Sequence, residues 1–93
     1  MKLFQLGKGV YNYYINNVNG NQETSHKMAQ RKLTRNIHLS YKISDTLYIY
    51  GHLHIKTKGN MIVSIKNHHS FLDTGFQKDL DKYERLNQLL KIS

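Results

Sequence analysis

Tyr48, Tyr50, His52, His54 and Lys56 occupy alternate positions of one run, interleaved with Leu47, Ile49, Leu53 and Ile55. Phenol rings stack on unpaired bases, each stack contributing about 1–3 kcal/mol. Imidazoles gain charge near neutral pH, and an ammonium group meets phosphate directly. A β-strand turns successive side chains to opposite faces, so period two predicts an apolar face and a Tyr/His/Lys face. Periodicity does not say which face is wet. The polar face is therefore a platform for single-stranded nucleic acid, an ordinary solvated surface, or a face covered by the N-terminal segment.

The histidines admit two catalytic chemistries. His52 and His54 on one strand face have the spacing of a sheet zinc site, with His38, His68 or His69 as a third ligand. No carboxylate shares that face to orient them, and Lys66 beside His52 would repel a cation, so no metal or other cofactor is expected. His38, His52, His68 and Lys66 also supply the side chains of a metal-independent ribonuclease. One imidazole would act as base, another as acid, and the lysine would steady the charged phosphate. The sequence has no glycine-rich phosphate loop, nucleophile motif or paired carboxylates.

Charge points to the same class of partner. The 93 residues carry a formal charge of +8, from 14 Lys and Arg against 6 Asp and Glu. Residues 1–72 hold ten of the cations and only Glu23 and Asp45, whereas residues 73–93 balance four against four. A field of one sign favours polyanions and speeds encounter with them. There is no cysteine, hence no disulfide, thiolate metal site or cysteine nucleophile. No apolar run is long enough to span a bilayer, and Met1 to Leu6 is too short for a signal peptide core, so a cytoplasmic protein without a membrane partner is expected. The abundance of Lys, Asn and Ile is that of a low-GC genome such as a bacterium's or its phage's.

These residues need elements to hold them. The length suits one small basic domain, 1–93. Phe76, Leu80, Tyr83, Leu86, Leu89 and Leu90 recur at helical spacing, predicting an amphipathic helix over 75–91, capped at Asp73 or Thr74, that docks its apolar stripe on a sheet. Alternation predicts strands over 37–43, 47–57 and 61–69, joined by turns at 44–46 and 58–60. Residues 10–18 fit helical spacing and alternation alike; their Tyr, Val and Ile content favours a fourth strand. Residues 24–35 predict a basic helix, capped at Thr24 or Ser25, that stacks Lys27, Arg31 and Arg35 on one side with Lys32 nearby. The fold class is thus α+β: an antiparallel meander packed against a C-terminal helix.

Facing residues must share a face, which predicts the register. A turn centred on Asp45 pairs Tyr41 with Ile49, Lys42 with Tyr48 and His38 with His52. A three-residue turn at 58–60 pairs Leu53 with Ile65 and His52 with Lys66; a two-residue turn there breaks the pattern. The expected function is a small nucleic-acid-binding protein, for RNA or DNA. Its interface would combine Lys42, Tyr48, Tyr50, His52, His54, Lys56, Lys66 and His68 on the sheet with Lys27, Arg31, Lys32 and Arg35 on the helix. Two alternatives share the inventory: a phage or mobile-element inhibitor docking on a host nuclease or other host enzyme, and the toxin-like ribonuclease. An exposed strand edge at 61–69 would allow a homodimer.

Overall fold

A computed structural model of the chain describes residues 2–18, 20–68 and 78–92. The expected α+β class is observed: the described residues form a five-stranded mixed sheet and three helices. In chain order the elements are β1 (Gln5–Leu6), α1 (Val10–Asn17), α2 (His26–Leu39), β2 (Tyr41–Ser44), β3 (Leu47–Tyr50), β4 (Leu53–Lys58), β5 (Met61–Asn67) and α3 (Leu80–Leu89). The strand order is β1-β5-β4-β3-β2, antiparallel throughout except where β1 joins β5 in parallel. The predicted edge at 61–69 is therefore paired at its start, where Gln5 pairs with Met61 and Leu6 with Ile62.

Residues 10–18 form a helix, not a strand. Val10 and Tyr14, four apart, are 2% and 1% exposed, so burying one helical stripe outweighs the β preference of the individual residues. The strand expected over 37–43 is likewise shortened to Tyr41–Ser44. Ala29, Leu33 and Ile37 fall at i, i+4 and i+8 of α2 and are all buried, so Ile37 belongs to the helix stripe and His38 is helical with it. Ser25 caps α2 as expected, its Oγ accepting from the Met28 amide at 3.1 Å.

Helix α1 packs over β5 and α2 over β3, on the same side of the sheet. The core between them is built on Tyr14, Leu33, Ile55 and Ile62, with Val10, Ala29, Ile37, Leu53 and Ile65 around it. Polar ties anchor the layers. The Asn67 amide donates to the Tyr13 hydroxyl at 2.8 Å, and Thr34 Oγ1 accepts from the Phe4 amide at 3.0 Å.

Helix α3 does not dock on the sheet. It lies against α2, where Arg35 donates from Nη1 to Asn87 Oδ1 at 2.9 Å and Lys82 Nζ donates to the His38 carbonyl at 2.9 Å. Leu86 and Leu90 are buried there, while Leu80 and Leu89 remain exposed. Asp79 caps α3 by accepting from the Lys82 amide at 3.0 Å. The cap expected at Asp73 or Thr74 lies outside the described residues.

Candidate functional site

The run 47–57 is two strands, and the break between them decides what the sheet presents. Gly51 and His52 form a two-residue turn with Gly51 at φ 60°, so Tyr50 faces Leu53 and Tyr48 faces Ile55. Glycine at the first central position is the signature of a type II′ hairpin turn. A two-residue turn places the two residues flanking it on one face. Tyr48 and Tyr50 therefore share the helix-facing side with Leu53 and Ile55, half-buried against the core. The residues between them, Leu47 and Ile49, turn to the other side, opposite Lys56 and His54. The expected Tyr-Tyr-His-His-Lys face is thus divided between the two sides of the sheet.

The second hairpin differs from expectation in a compensating way. Gly59 and Asn60 form the two-residue turn that alternation argued against, with Lys58 opposite Met61. A bulge between Lys56 and Thr57 and their partners lets Thr57 face Ile62 while Lys56 faces Ser64. The extra residue restores parity, so Ile62 and Ile65 both reach the core. The predicted pairs of Leu53 with Ile65 and His52 with Lys66 become Leu53 with Asn67 and His54 with Lys66. In the first hairpin, Tyr41 faces Ile49 and Lys42 faces Tyr48 as predicted.

The side of the sheet away from α1 and α2 carries one row across four strands: Tyr41, Ile49, His54 and Lys66. A second row holds Leu47, Lys56 and Ser64. His68 extends this side, held by its amide donating to the His52 carbonyl at 2.9 Å. Its ring tilts against that of His54 at a centroid separation of 4.1 Å. Leu47, His54, Lys56, Ser64, Lys66 and His68 line a depression of about 550 Å³. Partial burial, then His68 and Lys56, hold the His54 imidazole below its usual pKa. No Asp or Glu among the described residues lines this depression. Asp45 sits at the far turn in an exposed pair with Lys42 at 3.2 Å.

The other predicted site residues are dispersed. Lys27 is exposed in the first turn of α2. Arg31 reaches the Lys91 carbonyl at 3.5 Å, and Lys32 donates to Asn21 Oδ1 at 3.1 Å. Arg35, expected on a phosphate-contacting stripe, is 7% exposed and faces α3. Its long side chain gives that helix donors as well as charge. His52 is exposed in its turn.

The proposed ribonuclease set does not assemble around one point. His38 ends α2, its pKa lowered by burial and by Lys82, while His68 lies beside His54 on the open side of the sheet. The His54 and His68 rings are side by side, whereas in-line displacement at phosphorus sets the attacking and leaving oxygens on opposite sides. Among the described residues no three His, Asp or Glu side chains converge as metal ligands. No described helix is long and apolar enough to cross a membrane.

Tyr41, Leu47 and Ile49 belong to the open face although alternation assigned them to the apolar one. The sequence did carry the signal, since a glycine inside a strand pattern marks a turn or bulge, and Gly51 stands in the middle of the run. The family model described as YorE matches residues 4–89. No curated protein and no solved structure matches the chain.

Proposed function

This chain belongs to the YorE family, and we propose that it binds single-stranded nucleic acid on the open face of its sheet. Lys56 and Lys66 take phosphates, with His54 and His68 between them. Tyr41, Leu47 and Ile49 offer the flat, partly apolar surface on which bases rest. The observation that carries this reading is the row Tyr41, Ile49, His54 and Lys66, which grades from aromatic to cationic across four adjacent strands. Strands lie about 4.8 Å apart, so that row spans roughly the distance of two nucleotides along a strand. Open strands suit such a surface better than duplex, because only unpaired bases offer their faces to it.

The test is binding of fluorescent single-stranded RNA and DNA, with the matching duplexes, at low salt. The K56Q/K66Q variant should lose about tenfold in affinity or more, the loss expected from charged hydrogen bonds. Absence of binding at low salt, or affinity untouched by that double substitution, overturns the reading.

A second reading has one observation in its favour. Ile43 is 58% exposed on the edge strand β2 and Tyr41 beside it is 47% exposed, an apolar edge that a partner protein such as a host enzyme could cover. Ile43→Ser and the parent chain together separate the two. The substitution should change oligonucleotide affinity by no more than about twofold if the ligand is a strand, the scale of an ordinary surface substitution. A larger loss would place Ile43 within the strand-binding surface itself, and a parent chain that binds no oligonucleotide at low salt favours the protein partner.

A further inference from the structure

Behind the sheet, where α1, α2 and α3 meet, lies a cavity of about 340 Å³ whose wall includes Lys32, Arg35, Asn36, Tyr50, Tyr83 and Asn87. Two of these are cations and no carboxylate lines the cavity among the described residues. Arg35 is 7% exposed, yet its partners are neutral. Nε donates to Asn36 Oδ1 at 3.1 Å, Nη1 donates to Asn87 Oδ1 at 2.9 Å and to the Tyr83 hydroxyl at 3.4 Å, and the guanidinium lies 4.6 Å from the Tyr83 ring centre. A buried guanidinium is ordinarily matched by an anion, because neutral partners do not replace the solvation it loses.

The guanidinium has donors to spare. None of its hydrogen bonds uses Nη2. No buried side-chain nitrogen or oxygen among the described residues lacks a partner, so Nη2 is not sealed into the protein and keeps some accessible surface, on a residue that lines the cavity. Lys32 adds an ammonium with three N–H donors, of which Asn21 Oδ1 takes one at 3.1 Å. Lys78 Nζ, 4.0 Å from the Tyr83 ring centre, adds to the positive potential nearby. The two Asn oxygens that hold Nε and Nη1 fix the plane of the guanidinium, which is how a site is organised before its ligand arrives.

Two cations facing one cavity call for a dianion. A phosphate monoester carries about −1.5 to −2 at neutral pH, and its oxygens match the Arg fork. A second depression of about 310 Å³ adjoins the first, with Val18, Asn36 and Tyr50 in both walls, and runs on past His52 to Asn67. It gives room for a body attached to the phosphate, with the half-buried Tyr50 at the junction. We propose that this cavity binds a phosphate monoester of nucleotide size, its phosphate on Arg35 and Lys32 and its nucleoside in the groove from Tyr50 to His52. This site lies on the helix side of the sheet and is separate from the open face proposed above.

The test is amide chemical-shift titration of the full chain with five probes: inorganic phosphate, a nucleoside 5′-monophosphate, the same nucleoside without phosphate, and a short strand with and without a 5′-phosphate. The monophosphate should shift amides at Lys32, Asn36, Tyr50 and Asn87, and the bare nucleoside should not. Preference for the 5′-phosphorylated strand over both the monophosphate and the 5′-hydroxyl strand would support the site and name a strand terminus as the phosphate's source. Lys32→Gln should weaken binding about tenfold, the scale of one charged hydrogen bond. Arg35→Lys keeps the charge and removes the fork, and should weaken it as well while the spectrum stays that of the folded protein. Shifts confined to His54, Lys56 and Lys66 would overturn the proposal and leave the open-face reading standing. Inorganic phosphate binding as tightly as the monophosphate would overturn the groove's part in it, and equal affinity in Lys32→Gln and Arg35→Lys would overturn it altogether.

Discussion

His54 is asked to stay neutral in a cationic neighbourhood. Burial, the His68 ring and Lys56 all disfavour its proton, and His38 is held down in the same direction by burial and by Lys82. An unfolded histidine titrates near 6.5, above the folded value of both groups, so on acidification the unfolded chain takes up protons first. Their contribution to stability is therefore complete above about pH 6.5 and is lost as the pH falls below it toward the folded values. Melting temperatures measured between about pH 7.5 and 5 should fall with pH, and His54→Gln and His38→Gln should each flatten that fall. An unchanged slope in both variants would show that other groups carry the dependence. Acid acts oppositely on the open face: once His54 is protonated it adds a charge beside Lys56 and Lys66, so oligonucleotide affinity should rise where stability declines.

The hairpin turn at Gly51 and His52 is the element that determines which residues the sheet exposes. Gly51 holds φ 60°, a conformation that costs an L-residue about 1–2 kcal/mol. Gly51→Val should lower the denaturant unfolding free energy by about that amount or more, since a β-branched side chain fits this region poorly; a variant as stable as the parent would mean the turn can change type at no cost. The same turn shows what alternation can and cannot reveal. Period two found the strand residues of β3, β4 and β5 except Lys58, which it gave to the turn, and the pairs Tyr41–Ile49 and Lys42–Tyr48. It could not see that one run was two strands, because Ile49 and Leu53 have the same chemistry on either side of the turn while their faces are opposite. Helix α1 was obscured for a different reason: Tyr11, Tyr14, Ile15 and Val18 have helical spacing while Tyr11, Tyr13 and Ile15 alternate, and only the burial of Val10 and Tyr14 against the core decides between them. In α2 the cap at Ser25 was legible, whereas the end was not, since Ile37 fits the helix stripe and the strand alternation equally.

On the scale of the molecule, the cations lie on two sides of the sheet, and the folded structure treats them differently. On the helix side, α3 meets α2 through Tyr83, Leu86, Asn87 and Leu90, and Arg31, Lys32 and Arg35 are each engaged by carbonyl, amide or phenol oxygens. The basic stripe read from spacing is real, but its members at 31 and 35 point toward a neighbour whose position no local pattern encodes. On the open side, Lys56 and Lys66 are exposed and share one depression with two histidines. The cations therefore divide into those engaged by the protein's own oxygens and those open on the sheet. Salt dependence separates them, because each phosphate contact to a single strand contributes about −0.7 to the slope of log affinity against log salt. Replacing Lys56 and Lys66 by Gln should make that slope shallower by about 1.4, two contacts' worth. Replacing Lys27 and Arg31 by Gln removes the same formal charge from the far side of the sheet. Across a distance comparable to or beyond the screening length of about 10 Å at 0.1 M salt, it should leave the slope nearly unchanged. Equal changes from both pairs would mean that the strand is drawn by total charge and has no preferred face, and a larger change from Lys27 and Arg31 would move the interface to α2.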